Sequence, residues 1–159
     1  MDKSNHLFFM REAIRISREG MEANDGGPFG AVVVKDGEII GRGNNQVTSS
    51  NDPTAHAEVV AIRNACTHLG SFQLDGCIVY TSCEPCPMCL GAIYWARPDK
   101  IFFACSREDA AAIDFDDDFI YKEINVPVSE RKIPSKQILQ DEGKLVFDAW
   151  RDKEDKIEY

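Results

Sequence analysis

No apolar run in the 159 residues approaches the length of a membrane span. Nor does Met1-Asp2-Lys3 lead into a signal-peptide core. A membrane partner is therefore not expected, and the expected location is cytoplasmic. Positive charge is scarce: 18 lysines and arginines stand against 27 aspartates and glutamates, for a net charge of −9. A protein that grips DNA or tRNA normally carries a basic footprint. The balance argues against nucleic acid as a partner and leaves room only for a local basic patch. A Gly-rich phosphate loop is missing, and so are internal repeats and low-complexity linkers. Residues 1–159 thus read as a single domain, large enough to bury a core. The six cysteines do not suit a secreted disulfide framework in a chain of this length.

What the chain does have is concentrated in Thr81–Leu90, TSCEPCPMCL, and in His56-Ala57-Glu58 before it. Together they offer three metal ligands, His56, Cys86 and Cys89, with a carboxylate beside the histidine. A structural zinc site normally closes with four protein ligands, whereas a catalytic one keeps three and leaves a place for water. The order H-x-E, then P-C-x-x-C, is that of the zinc nucleobase deaminases. Zinc makes water acidic enough to attack near neutral pH. Deamination also needs a group that carries the water's proton to the ring and to the departing amine. Glu58 suits that role. One Zn2+ per chain is expected. The competing readings are a structural zinc knuckle and a redox CxxC pair. The joint, ordered presence of the histidine, the carboxylate and the proline-led cysteines favours catalysis. Cys83 makes a second CxxC with Cys86, but it precedes Pro85 at a strand end. It is assigned to packing or to support behind the ligands.

The rest of the chain supplies a frame. Ser4 or Asn5 can cap a first helix whose core stripe is Leu7, Met10, Ile14 and Met21, with Phe8, Phe9, Ala13 and Ile16 alongside. Phe29–Val34 and Glu38–Gly43 read as a hairpin turned at Asp36-Gly37. Asp52-Pro53 is expected to open the helix that carries His56 and Glu58, with Gly70 ending it. Cys77–Thr81 reads as a strand, about Pro87 to Trp95 as a helix, and Lys100–Cys105 as a strand. The last two strands flank a helix, so a parallel pair is expected. Ser106-Arg107-Glu108-Asp109 resembles a helix start. Asp116-Asp117-Asp118 reads as a solvated loop, Ile133–Leu139 as a last strand, and Leu145, Val146, Ala149 and Trp150 as a terminal amphipathic helix. The expected class is α/β: a three-layer α/β/α sandwich on a mixed five-stranded sheet.

GGPFGAVVVKDG, SNDPTAHAE, VYTSCEPCPMCLGAIYWARP, FDDDFIYKEI and the final tyrosine resemble the bacterial guanine deaminases of the cytidine deaminase-like superfamily. The resemblance implies hydrolysis of guanine, a small purine base, to xanthine and ammonia. It implies that His56, Cys86 and Cys89 hold zinc and that Glu58 shuttles protons. It places Asn45, or its neighbour Asn44, on the purine. One residue of the Asp116–Asp118 run, matched at Asp117, would read the base, and Tyr159 would close the pocket. Phe29 and Trp95 match pocket walls, each with plain core packing as the alternative, and Ala57 joins the substrate contacts. It further implies a homodimer in which 129–159 is a swapped carboxyl-terminal segment. Other substrates stay open: guanosine, a tRNA adenosine, an aminated triazine. So does a non-catalytic zinc-stabilised scaffold.

Overall fold

The computed structural model describes residues 3–159. Met1 and Asp2, on which the leader reading rests, lie outside them. The chain divides into two compact units, Met1–Asp117 and Asp118–Tyr159.

The first unit runs α1 (Lys3–Glu22), β1 (Gly30–Lys35), β2 (Glu38–Asn44), a short α2 (Val47–Ser50), α3 (Ala57–Leu69), β3 (Cys77–Cys83), α4 (Pro87–Ala96), β4 (Lys100–Cys105) and α5 (Arg107–Ala111). Its sheet has the order β2-β1-β3-β4. β1 pairs antiparallel with β2 and β3, and β3 pairs parallel with β4. The hairpin at Asp36-Gly37 has both residues at positive φ, as a tight turn matched to strand twist requires. β1 is buried almost throughout because both its faces are covered. Val32, Val34 and Tyr80 pack with Phe9, Ala13 and Ile16 of α1. Ala31, Val33, Cys77 and Val79 pack with Ala57, Ala61 and Ala65 of α3 and Ala96 of α4. This is the expected helix–sheet–helix sandwich.

Two expectations about α1 are corrected. The helix is already formed at Lys3, so Ser4 and Asn5 lie inside its first turn. The buried stripe is Phe9, Ala13, Ile16 and Gly20, while Leu7, Ile14 and Met21 are exposed. Small residues decide the face. A Cβ on Gly30 would collide with the Ala13 carbonyl, so α1 lies backbone-close to β1. Only a stripe containing Ala13 and Gly20 permits that approach. Below it, buried Tyr80 stacks on Phe102 (5.3 Å, 15°) and its hydroxyl meets His6 Nδ1 at 2.6 Å. That contact gives a buried phenol its hydrogen-bond partner.

The start of α3 also moves. Asp52 Oδ1 accepts the Thr54 N–H (2.8 Å) and hydroxyl (2.7 Å), closing a local turn that contains Pro53. The helix begins afterwards at Ala57, with His56 as its N-cap. Gly70, left-handed at φ 62°, ends it as expected. Ser106 and Asp109 form a reciprocal capping box at α5, again as expected.

The sheet of the described residues has four strands, not five. The segment expected as the fifth, Ile133–Leu139, has no strand. The second unit consists of α6 (Asp118–Asn125), a single 3-10 turn (Val128–Glu130) and α7 (Gln140–Asp152). It holds no strand for that segment to pair with, and Pro134 removes a ladder donor. The terminal amphipathic helix is present as α7. No residue of 118–159 is buried. None of the described helices is long and apolar enough to cross a membrane.

β2 sets the height at which α3 begins. A Cβ on Gly43 would strike the Ala57 carbonyl, and one on Gly41 the Ala61 carbonyl. Both obstacles are backbone, which cannot swing aside. Gly43→Ala is expected to cost about 1–3 kcal/mol, the usual range for overpacking. Because Ala57 lies between His56 and Glu58, the variant should also retain less zinc. Thermal denaturation together with metal analysis of the purified variant checks both outcomes.

Candidate active site

Two helix N-termini meet at one point. His56 is the N-cap of α3 and Cys86 the N-cap of α4, with Pro87 as the first helical residue. Proline suits that position because the N–H it lacks has no intrahelical partner there. Cys89 follows in the first turn. The His56 side chain makes no capping bond to its own helix, so it is available to the site. β3 delivers the chain to this point, and the Glu84 N–H bonds the Cys105 carbonyl (2.8 Å) to extend the ladder with β4.

One ligand atom from each of His56, Cys86 and Cys89 lies within 4.8 Å of the others. His56 Nδ1 is 3.6 Å from Cys86 Sγ and 3.5 Å from Cys89 Sγ. Tetrahedral zinc, at its ordinary distances to nitrogen and sulfur, would separate the two by about 3.6 Å. The donor set therefore fits zinc in both kind and spacing. Three protein ligands leave the fourth position that a catalytic metal needs.

Electrostatics agree with ligation. The Cys86 thiol is lowered to about 4, chiefly by the hydrogen bond from the Cys89 thiol. Burial opposes that shift, while the His56 imidazole and the Cys89 amide reinforce it. Cys89, the donor in that bond and buried near the Glu58 carboxyl, is pushed upward. The pair shares a proton that metal binding must displace. His56 is raised through its contact with Cys86. Cys83 is pushed up to about 11, chiefly by burial. Its Sγ meets the Ser106 carbonyl at 3.4 Å, and it stays a packed thiol.

Glu58, second residue of α3, is only 6% exposed. Burial is the main cause that raises its pKa, and the charge of Cys86 adds to it. A carboxyl that both takes and gives a proton needs such a shift. Ala57 is fully buried between the two.

The substrate candidates separate clearly. Asn45 is buried, and its Oδ1 accepts the N–H groups of Gly27 (3.3 Å) and Val47 (3.2 Å). Among the described residues, no acceptor meets its Nδ2. Asn44 instead uses both ends locally: Nδ2 donates to Asp25 (2.7 Å) and Oδ1 accepts from Gln46 (3.1 Å). Asp117 is the one residue of the acidic run that is partly buried. Its pKa is raised by burial first and by the charge on Cys86 second, which puts its carboxyl within the field of the cysteine cluster. Asp118 opens α6 and pairs with Lys122 (2.5 Å). The expected solvated loop holds at Asp116, is only partly solvated at Asp117, and ends at Asp118, where α6 begins.

Phe29 is half-buried against the α3-side core. It meets Phe115 edge to face, with centroids 4.9 Å apart at 88°. Trp95, on the side of α4 turned from the buried Cys89 and Ile93, is 66% exposed. Tyr159, 69% exposed, belongs to the second unit. Sequence reasoning missed two contributors. Gly27 orients Asn45 through its N–H, and the Gly26-Gly27 pair was a readable sign of close backbone approach. Phe115 was readable only as the first residue of FDDDFIYKEI, with no role of its own.

This fold and this site define a zinc-dependent deaminase. Residues 3–105 match the family described as the cytidine and deoxycytidylate deaminase zinc-binding region, and the chain belongs to it. Zinc is its cofactor. Beyond the family, the chain is 60% identical to the guanine deaminase of Bacillus subtilis (strain 168) over 155 residues, 98% of this chain and 99% of that protein. The crystal structure of the Bacillus subtilis guanine deaminase superposes with a TM-score of 0.95 at 58% identity, covering 100% of this chain and 99% of the other. A tRNA-specific adenosine deaminase of Aquifex aeolicus is 41% identical over 97 residues, 61% of this chain and 64% of that protein.

The ligand assignment has a direct check. Cys86→Ser should lose zinc, because it removes one of three donors. Cys83→Ser should keep a full equivalent, because Cys83 faces the Ser106 carbonyl and not the cluster. Metal content of the two purified variants reads this out, and the reverse pattern would sink the assignment.

Proposed function

We propose that this chain hydrolyses guanine to xanthine and ammonia. One observation carries the substrate. The family match ends at residue 105, but similarity to a guanine deaminase covers 98% of the chain and so takes in the segment with Asp117. The shared part gives the chemistry, and the remainder gives the base. The net charge of −9 supports a free base over tRNA.

Zinc held by His56, Cys86 and Cys89 would supply Lewis acidity and make water a nucleophile near neutral pH. The chain's own groups do the rest. Glu58 takes a proton from the water that attacks carbon 2 and passes it to ring nitrogen 3. The same carboxylate moves a second proton from the new hydroxyl to the amine. Ammonia leaves, and a carbonyl remains at carbon 2. Asn45 has its oxygen fixed by two backbone amides, so it offers a donor to a purine acceptor. Asp117 offers an acceptor to a ring N–H. A base lacking the matching groups would leave these partners unpaired, which is a strong basis for rejection. Phe29 walls the pocket on one side.

The test is ammonia release from guanine, guanosine, adenine, adenosine, cytosine and cytidine. Guanine is expected to be the preferred substrate. Glu58→Gln should keep zinc and the fold yet lose about a hundred- to ten-thousand-fold in turnover, the usual contribution of a general acid–base group. A rate within a few-fold of the parent would rule the role out, and the scaffold alternative predicts that result.

The working unit we infer is a cytoplasmic homodimer that exchanges residues 129–159, each Tyr159 closing the partner's pocket. Two observations support it. No residue of 118–159 is buried, although Phe147, Leu145, Ile138 and Ile133 are large and apolar. Exposed apolar surface on that scale marks an interface. All six cysteines are free, as suits a reducing compartment. Co-expressing a Glu58→Ala chain with one lacking Tyr159 separates the cases. With exchange, the pocket that keeps Glu58 receives an intact Tyr159, and the purified heterodimer regains about half the parent activity. A tail acting on its own chain would leave both pockets dead.

A further inference from the structure

We infer that Phe115 is a positioning residue that sets the geometry of the two base-reading groups, Asn45 and Asp117. The inference rests on the guanine reading for its substrate, but not for its structural core. Phe115 stands two residues before Asp117 and about half its surface is exposed. Its ring meets Phe29 edge to face at 4.9 Å, a preferred aromatic geometry. Its outermost carbon, Cζ, faces Gly27: a Cβ built there would lie 2.9 Å away, and 3.1 Å from Cε1. The ring thus lies on the Gly27–Phe29 turn from outside.

That turn is the part that fixes Asn45. The Gly27 N–H donates to Asn45 Oδ1, and the Asn45 N–H donates to the Phe29 carbonyl at 3.0 Å. The two residues that Phe115 touches, Gly27 and Phe29, therefore both bond Asn45. The chain that carries Phe115 carries Asp117. One aromatic contact couples the turn behind the donor to the segment bearing the acceptor. It holds their separation, and separation is what a purine edge measures. A methyl group at Gly27 would press on both rings, 2.9 Å from Phe115 Cζ and 3.1 Å from Phe29 Cδ2, and the half-exposed Phe115 ring would be the one to move.

The experiment uses the full-length zinc protein and reads two quantities. The first needs no substrate: hydrogen exchange of the Gly27 amide by NMR. In Phe115→Ala this exchange should quicken by about five- to tenfold, the equilibrium equivalent of an edge-to-face contact, while zinc content stays whole. The second is the split between KM and kcat on guanine. KM should rise by a similar factor with kcat within about threefold, because the groups that bind the base move while Glu58 and the ligands do not. Phe115→Leu is the milder variant should alanine fail to fold, and it should show the same direction. Gly27→Ala should mimic the defect, and adding Phe115→Leu should recover part of it by removing the outer ring carbons. Such coupling is the mark of contacting residues. Unchanged Gly27 exchange, or a double variant no better than Gly27→Ala, would overturn the proposal whatever base the enzyme uses. A parent without guanine activity would instead overturn the substrate reading, and the exchange and pair data would still decide this one.

Discussion

The site depends on how closely α3 lies on β2. Gly41 and Gly43 have no side chains, and Ala57, Ala61 and Ala65 present only methyl groups to the sheet. The helix can therefore rest almost backbone on backbone. This fixes its N-terminus along the strand, and with it His56 and Glu58. α4 is placed by a different device, the β3–β4 ladder that runs on to Glu84 before Pro85 turns the chain. Two rigid elements then aim their first turns at one point. A side-chain nitrogen and two sulfurs arrive at zinc spacing because the backbone beneath them has little freedom. Helix N-termini add a partial positive charge, which favours thiolate and carboxylate at the same place.

Burial then divides the cysteines by task. Cys86 has partners that stabilise its charge, and its thiol is lowered to about 4. Cys83 lies only three residues away in sequence. Its sulfur is buried against the Ser106 carbonyl, and burial pushes its thiol up to about 11. The same chemical group is thus suited to bind a metal in one setting and to fill space in the other. The two overlapping CxxC patterns could not be told apart by spacing. They are told apart by which cysteine reaches a helix start.

Much of the fold was legible because its signals are local. Asp36-Gly37 makes its turn in any context, Ser106 and Asp109 carry their own capping box, and Lys100–Cys105 is a strand to the residue. The failures share a cause: each needed a partner that local sequence does not name. α1 offers two apolar stripes, and only the approach of Gly30 to Ala13 selects the one with small residues. Asp52-Pro53 could open a helix, but the Asp52 side chain closes a turn on Thr54 first. Ile133–Leu139 has strand composition, yet strands exist in pairs, and its unit holds none to join. In the site, the metal set was legible because ligands must be particular residue types. Phe115 was not, since an aromatic before an acidic run has no fixed meaning until its neighbours are known.

The choice between Asn44 and Asn45 carries the argument one step further. In sequence the two are equivalent, and either could face a base. The hydrogen-bond account separates them. Asn44 has donor and acceptor both engaged within the loop, so turning it toward a ligand would break two bonds. Asn45 engages only its oxygen, and does so twice. That fixes the amide's orientation, so the group it presents is a donor and cannot flip to become an acceptor. A carboxylate at Asp117 is acceptor-only when ionised. If both groups read the base, as proposed, they suit a planar ligand with an acceptor on one edge and an N–H on another. Guanine meets that demand through its carbonyl or imidazole nitrogen and its ring N–H groups. On the proposed reading, discrimination rests on the two backbone amides that hold the Asn45 oxygen, more than on any feature of the metal centre.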